Sequence, residues 1–384
     1  MKNITVTIFV VLISIAFLKP NAFADKITEL EKKVESLETS VGQLKAKSYE
    51  GLGTGVEVGG HFRMYMFDKS DGKRNGIKQH NNVSAGINSF YLSFKKELSD
   101  YLSMYVEPEI SVSASATPSL GSDITRATSA TTSTSFHRAY MLVSLPNDMV
   151  LKAGLISPLF SEEYGTEIWW HELNHQNKGL DMVETMSDQG LELYKNFDFE
   201  EWSLPLYLYL LNGKSLVDDN HSKIVLLHFA PELLQAKLRL LGSIGYGKWD
   251  TNDDYAQRRY ALGFDWKYNA LNIMSEYLYR SDDNVSLSGG NKEDGKRTGY
   301  YIRALYNITP KWKGLVKYSN VDLYKTGTTF MRTDNYEVLT VGINYLITET
   351  STIISHVSFC DAERSDNSET LKNARTTIGW RTTF

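Results

Sequence analysis

Apolar and polar residues alternate along most of the chain after residue 55, and residues 373–384 show the pattern clearly. One face of this segment carries apolar, aromatic or small uncharged side chains: Ala374, Thr376, Ile378, Trp380, Thr382 and Phe384. The positions between them are polar or glycine: Asn373, Arg375, Thr377, Gly379 and Arg381. A period of two residues with one apolar face predicts a β-strand that is half-buried.

Short polar segments interrupt the alternation and predict seven tight turns: Glu97–Asp100, Pro146–Asp148, Phe197–Glu201, Ala230–Glu232, Lys267–Ala270, Asn307–Pro310 and Leu346–Thr350. Longer polar loops are expected between them, near residues 68–86, 113–133, 157–187, 213–221, 247–256, 281–297, 325–334 and 361–371. Seven turns, with one further strand at either end, predict 16 antiparallel strands. Short connections at one end and long ones at the other are typical of an all-β transmembrane barrel of the bacterial outer membrane. The terminal strand, ending on Phe384, fits the last strand of such a barrel.

Parity sorts the side chains into a lipid-facing set and an interior set. Tyr260 and Leu262 are predicted to face lipid, whereas Arg259 and Asp265 face the interior. The same parity predicts basic residues lining a pore: Arg63, Arg138, Lys152, Lys237, Arg239, Arg259, Arg280, Arg303, Lys313, Lys317, Arg375 and Arg381. Because burying unpaired charge is costly, such an interior must contain water. Sixteen strands leave room for an aqueous channel.

The first residues predict a different organisation. Residues 1–24 read as a signal peptide, because Lys2 precedes an apolar run that ends in a small-x-small cleavage site at Ala22–Ala24. Residues 25–47 predict a short coiled-coil helix from its heptad positions: Ile27, Leu30, Val34, Leu37, Val41 and Leu44. The alternative is a lone amphipathic helix that lies on the barrel or plugs it. Residues 48–55 form a linker, and residues 56–384 are the predicted barrel domain.

Composition narrows the class of protein further. The formal net charge is −5, and loss of residues 1–24 would make it more negative, which argues against nucleic acid as a partner. The single cysteine, Cys360, leaves no internal disulfide framework. No motif calls for a cofactor. The 23 tyrosines, 16 phenylalanines and 7 tryptophans suit the aromatic girdles of a barrel that contacts outer-membrane lipid.

The third long loop, residues 157–187, carries the candidate constriction. Its acidic residues include Glu162, Glu163, Glu167, Asp181 and Glu184. It also carries Trp169 and Trp170, which a loop folded inward against the barrel wall can bury. We therefore expect it to narrow the pore, with its acids facing the basic wall. The alternative is an external loop that packs on its neighbours or on a partner subunit.

The run Lys152-x-Gly154-x-x-Ser157-Pro158-x-Phe160-Ser161, together with the signal peptide, the heptads, the 16 strands and Phe384, resembles the phosphate-selective porin O and P family. The resemblance implies a homotrimer of diffusion channels, each with its third loop folded into the lumen. Acids share the predicted lumen with the basic residues: Glu57, Glu192, Asp265 and Glu276. The sequence therefore predicts a mixed-charge porin for small hydrophilic solutes or ions, not an enzyme, in the outer membrane of a Gram-negative-type bacterium.

Two other interpretations remain open. The segment His171-Glu172-Leu173-Asn174-His175 matches a motif in which two histidines on one helix face bind zinc. Asn174 and Gly179 disfavour that helix, so His171 and His175 are weak metal candidates, and a coincidental match is the preferred interpretation. The coiled coil could instead tether the envelope, with the barrel as its outer-membrane anchor.

Overall fold

A computed structural model of the chain describes residues 55–74, 77–115, 129–162, 187–213, 223–248, 255–286, 292–323, 335–363 and 370–384, and also Lys32. The predicted signal peptide, residues 1–24, lies outside the described residues. So do the coiled coil and the linker, residues 25–55, apart from Lys32 and Gly55. Residues 55–383 form one compact unit.

The described part of this unit is built almost entirely of strands. They are β1 (Val56–Arg74), β2 (Ile77–Ser99), β3 (Leu102–Ser115), β4 (Ser129–Leu145), β5 (Met149–Ile156), β6 (Asp188–Asp198), β7 (Trp202–Leu211), β8 (Ile224–Phe229), β9 (Glu232–Leu233), β10 (Leu238–Lys248), β11 (Ala256–Tyr268), β12 (Leu271–Ser286), β13 (Lys292–Asn307), β14 (Trp312–Leu323), β15 (Asn335–Leu346), β16 (Ser351–Glu363) and β17 (Thr370–Thr383). No helix among the described residues is long and apolar enough to cross a membrane.

The sheet closes on itself. Neighbouring strands pair antiparallel in chain order, and β17 returns to β1, where Arg63 lies opposite Arg381. β8 and β9 both pair with β7 and with β10, so they are two parts of one barrel strand, separated by Ala230 and Pro231. Counting them as one gives 16 strands, which confirms the predicted barrel. Closure leaves no unpaired edge, as a sheet surrounded by hydrocarbon requires.

One predicted turn was misplaced. Ala230–Glu232 was predicted as a turn, but the chain continues through it and turns at residues 234–237. Because proline lacks an amide donor, Pro231 interrupts the hydrogen bonding between strands at this position, but the chain does not turn there. The carbonyl oxygen of Pro231 still accepts from the amide of Leu240 at 2.9 Å. The prediction that Lys237 faces the pore is therefore wrong: it is an exposed turn residue with a φ of 49°.

Several strands run farther than the polarity of their sequence indicates. The loop expected at residues 68–86 is largely a paired extension of β1 and β2, with Lys69 opposite Val83. The loop expected at 281–297 is likewise shortened, because Val285 pairs with Glu293. Backbone pairing can continue beyond a membrane, where alternation of apolar residues no longer applies.

Burial alternates along the strands as the parity predicted. Leu262 is 68% exposed on the outside, whereas its neighbour Ala261 is 7% exposed on the inside. The outer face is apolar and aromatic, and exposed examples are Ile244, Tyr260, Leu262, Tyr277, Tyr300, Ile302 and Val316. The inner face carries polar and charged groups, including Arg63, Glu192, Arg259, Glu276, Arg303 and Lys317. This arrangement is the reverse of a soluble β-barrel and suits lipid outside with a polar interior.

Candidate functional site

The third long loop begins inside the barrel. Its first residues, Ser157–Glu162, are called the loop root here; they leave β5 and lie against the inner face of the wall. The side chain of Phe160 is 1% exposed and packs with inward-facing residues such as Tyr209 and Leu241. The hydroxyl of Tyr209 accepts from the amide of Leu159 at 3.1 Å. The hydroxyl of Ser243 donates to the carbonyl oxygen of Phe160 at 2.6 Å.

A carboxylate on β12 holds the loop root. Glu276 accepts from the Ser161 hydroxyl at 3.0 Å and from the Glu162 amide at 3.1 Å. The hydroxyl of Tyr301 donates to the same carboxylate. On β11, Gly263 lies opposite Glu276, and a β-carbon there would come within 2.5 Å of the Glu276 Cγ. The absence of a side chain at Gly263 therefore provides the space that this carboxylate occupies.

The side chain of Glu162 forms the second attachment. Its carboxylate accepts from Arg239 Nη2 at 3.0 Å and lies 3.8 Å from His228 Nε2. The other ring nitrogen of His228 is 2.8 Å from the Ser243 hydroxyl. Arg239 also reaches Asp265 at 3.4 Å. Charge pairing of this kind is needed for an ionised group as deeply buried as Glu162, which is 1% exposed.

Local sequence explains how β5 turns into the lumen. Gly154 has a φ of 138°, and a β-carbon there would lie 2.3 Å from the carbonyl oxygen of Ala139. Only glycine can adopt this positive φ and also approach that carbonyl oxygen so closely. Immediately after the strand, the hydroxyl of Ser157 lies 2.8 Å from the hydroxyl of Ser187 and accepts from Arg138 Nε at 3.3 Å. The two ends of the long loop are thus joined at its base.

A trio of arginines lies across β11, β12 and β13. Arg259 is opposite Arg280, and Arg280 is opposite Arg297. The carboxylate of Asp282 accepts from Arg280 Nε at 2.8 Å and lies 3.8 Å from Arg297 Nη2. Gln257 accepts from Arg259. Arg297 was not among the predicted pore residues, although the sequence parity of Tyr300 and Ile302 places it on the same inner face.

The other predicted basic residues occupy the inner face at separate places. Arg303 is opposite Lys317, whose amine lies 4.9 Å from the ring centre of Tyr301. At the β1–β17 seam, Arg63 is opposite Arg381, and both are buried. The remaining members of the set also have inward parity: Arg138, Lys152, Lys313 and Arg375. The barrel brings the predicted set, except Lys237, onto one continuous surface without forming a single cluster.

The predicted acidic residues of the constriction loop fall into two groups. Glu162 is placed by the contacts above, whereas Glu163, Glu167, Asp181 and Glu184 lie outside the described residues. The zinc-motif histidines His171 and His175 lie outside them as well. Within the described ranges, no group of three or more histidine, cysteine, aspartate or glutamate side chains could hold a metal ion.

Two pairs of inward-facing tyrosines, on β3 and β4 and on β6 and β7, were not predicted from the sequence. Tyr105 stacks on Tyr140 with ring centres 5.1 Å apart, and Tyr194 lies against Tyr207 at 4.6 Å. Each pair is also directly opposed in strand register. Composition and the parity of other strands placed tyrosines on the outer face, but the alternation Tyr207-Leu208-Tyr209 already indicated an aromatic interior face.

Comparisons with known proteins agree with this architecture. Residues 243–383 match the model of the family described as phosphate-selective porin O and P. No curated protein matches the chain. Among solved structures, the outer membrane channel DcaP of Acinetobacter baumannii is 13% identical, with a TM-score of 0.56, covering 86% of this chain and 97% of that one.

Two further solved structures are similar. OmpT of Vibrio cholerae is 10% identical with a TM-score of 0.56, covering 86% of this chain and 97% of that chain, and a related OmpT structure is described as a trimer form. The anion-selective porin from Comamonas acidovorans is 10% identical with a TM-score of 0.53, covering 86% and 99%. At these identities the likeness is one of fold. The family match over residues 243–383 and the porin fold together confirm that this chain resembles the phosphate-selective porins O and P.

Proposed function

We propose that the protein is an outer-membrane channel for the passive diffusion of small hydrophilic solutes or ions. One observation carries this proposal: the closed 16-stranded barrel exposes apolar side chains outside and carries charged side chains inside. The interior carries arginine, lysine and glutamate on most strands. It cannot be a dry core, because uncompensated burial of charge is costly. Water and small polar solutes are its natural contents.

We further propose that the third loop narrows this channel. The attachment of the loop root to Glu276, Arg239 and Ser243 supports an inward course for the segment that follows. Residues 163–186 would then continue within the lumen, and their acids would face the basic wall. Such a constriction would place charges of opposite sign on its two sides.

The charge pattern favours mild ion preference over strong phosphate selectivity. The arginine trio on β11–β13 would attract anions, but Asp282 already pairs with two of its members. Elsewhere Lys152 pairs with Glu192 at 2.6 Å. Positive charges neutralised by adjacent carboxylates contribute less to an anion field than isolated ones do.

The proposal also includes export, location in the outer membrane and assembly into a trimer. Residues 1–24 would direct export as a signal peptide, and the barrel would sit in the outer membrane of a Gram-negative-type bacterium. We infer a homotrimer, with the heptads of residues 25–47 helping to hold copies together. The trimer form of the structurally similar OmpT supports this inference at the level of fold.

Conductance of the purified protein in a planar bilayer tests the function. We expect stepwise openings, in groups of three for a trimer, and a small reversal potential under a salt gradient. Added phosphate should leave the current largely unchanged, and block at low concentration would restore a phosphate-specific channel. If folded, heat-modifiable protein gave no current, the channel proposal would be wrong.

A further inference from the structure

Four inward-facing tyrosines lie on β3, β4, β6 and β7, in two directly opposed pairs. The four residues Tyr105, Tyr140, Tyr194 and Tyr207 are called the tyrosine belt here. Tyr105 and Tyr140 stack with an angle of 21° between their rings, and Tyr194 and Tyr207 lie at 35°. The belt continues on β8, where His228 lies 5.7 Å from the ring of Tyr207. Aromatic residues therefore lie on the inner face of β3, β4, β6, β7 and β8.

Two glycines lie directly beside Tyr140 across the sheet, whereas Tyr194 lies four positions farther along β6, toward the short turn. Gly154 lies opposite both Tyr140 and Gly190 in strand register. A β-carbon at Gly154 or Gly190 would come within 2.3 Å or 2.1 Å of a backbone oxygen, so neither position tolerates a side chain. The inner face therefore has no side chain at these two positions beside Tyr140.

An ion pair lies between the two tyrosine pairs along the strand direction. Lys152 and Glu192 are opposite each other on β5 and β6, at 2.6 Å, in the strand positions next to Gly154 and Gly190 on the inner face. The Lys152 amine also lies 5.5 Å from the ring centre of Tyr140. On β3, the Tyr105 hydroxyl donates to Glu107 at 2.5 Å. Hydrogen-bond donors and acceptors thus stand beside the aromatic rings.

The belt is also accessible to a solute. All four of its tyrosines keep part of their surface exposed, unlike the buried Tyr209 and Tyr301. No described residue forms a hydrogen bond with the hydroxyls of Tyr140, Tyr194 or Tyr207. Tyr207 is parallel to Tyr209, which binds the loop root, and it lies on the short-turn side of Tyr209, whereas Tyr140 lies on the long-loop side. A solute that moves past Tyr209 would therefore meet one tyrosine pair before it and the other after it.

We propose that the tyrosine belt binds a sugar ring in transit. This inference rests on the proposed channel function and names its solute class. A pyranose offers an apolar face of C–H groups and a rim of hydroxyls. The C–H face can stack on the exposed aromatic rings. The hydroxyl rim can form hydrogen bonds with Lys152, Glu192 and the tyrosine hydroxyls. An uncharged ring also suits a surface on which Lys152 and Glu192 are already paired with each other.

The test is interruption of single-channel current by D-glucose, compared with sorbitol, which has similar size and hydroxyl content but no ring. We expect glucose to interrupt the current and sorbitol to do so far less. Tyr140→Ala and Tyr207→Ala should each weaken the glucose effect by about fivefold, because each removes one aromatic face. Tyr140→Phe and Tyr207→Phe, which keep the ring, should retain most of the effect. Lys313→Ala, on the inner face away from the belt, is the matched control and should leave the glucose response unchanged.

The failures of the two proposals are distinguishable. Ion current that glucose and sorbitol interrupt equally, or a glucose response unchanged in Tyr140→Ala and Tyr207→Ala, would overturn the sugar site and leave the channel intact. Absence of any current would overturn the channel. In that case equilibrium dialysis of radiolabelled glucose against the detergent-solubilised protein decides the site, because binding requires no current. Binding lost in the alanine variants supports the site, and no binding refutes it.

Discussion

Replacement of Glu276 by glutamine should release the loop root without disturbing the barrel. The carboxylate accepts hydrogen bonds from the Ser161 hydroxyl, the Glu162 amide and the Tyr301 hydroxyl. A glutamine side chain has one acceptor oxygen and one NH₂ group. If its oxygen serves the two hydroxyls, its NH₂ group faces the Glu162 amide, and two donors oppose each other. The hydrogen bonds that remain lose their charge assistance.

The expected magnitude follows from those bonds. A hydrogen bond to an ionised group contributes roughly 1.5–3 kcal/mol. Loss of one such bond and weakening of the others would lower the free energy of docking by about 2 kcal/mol, or about 30-fold in the ratio of docked to undocked root. The second attachment, through Glu162 and Arg239, remains and would keep the change from being larger.

Single-channel recording measures the outcome. Glu276→Gln should show greater current noise and a higher mean conductance than the unmodified protein, because the loop leaves its docked position more often. Glu57→Gln is the matched control, since Glu57 is exposed and its carboxylate lies 3.8 Å from Lys95. Both variants should keep the heat-modifiable mobility of a folded barrel. Identical recordings for Glu276→Gln and the unmodified protein would refute the role assigned to this carboxylate.

Three other expectations follow from the same structure. Arg280→Ala should shift the reversal potential toward cation preference, whereas Arg258→Ala, on the outer face, should not. Leu262→Arg should lower the free energy of unfolding in lipid by about 2–4 kcal/mol if the residue lies near the bilayer midplane, as unfolding in urea would show. Gly154→Ala should lower the temperature at which the barrel unfolds on gels, because its φ is 138°; Gly314→Ala, whose nearest contact is 3.5 Å away, should not. The first expectation would be wrong if Arg280→Ala and Arg258→Ala gave the same reversal potential. The second would be wrong if Leu262→Arg left the urea midpoint unchanged, and the third if Gly154→Ala and Gly314→Ala unfolded at the same temperature.

Much of the barrel could be predicted from the sequence because strand geometry is local. Side chains alternate with a period of two, so Tyr260 and Leu262 could be assigned to lipid from their own neighbours alone. The misplaced turn at Ala230–Glu232 shows the limit of this reasoning. Proline favours turns, but here the neighbouring strands β7 and β10 hold the chain extended on both sides of Pro231.

The attachment of the loop root could not be predicted in the same way. Glu276 and Glu162 are 114 positions apart in the chain, and no local pattern links them. Their contact depends on the curvature of the closed barrel, which brings the inner face of β12 to the segment that leaves β5. The tyrosine belt had a sequence signal, since parity applied to Tyr207 and Tyr209 places both inside. That pattern did not lead to a prediction, because aromatic residues in such barrels are expected at the lipid interface.

The loop root and the tyrosine belt are joined through Tyr209, and this connection has a consequence for solute passage. The Tyr209 hydroxyl accepts from the Leu159 amide, and its ring is parallel to that of Tyr207 at 6.3 Å. Movement of the root would therefore remove a contact from the residue beside the belt. Glu276→Gln should then alter the glucose response as well as the noise, because it frees the root. Tyr207→Ala should alter the glucose response alone, since Tyr207 makes no hydrogen bond to the root. The two variants thus separate attachment of the loop from recognition of the solute.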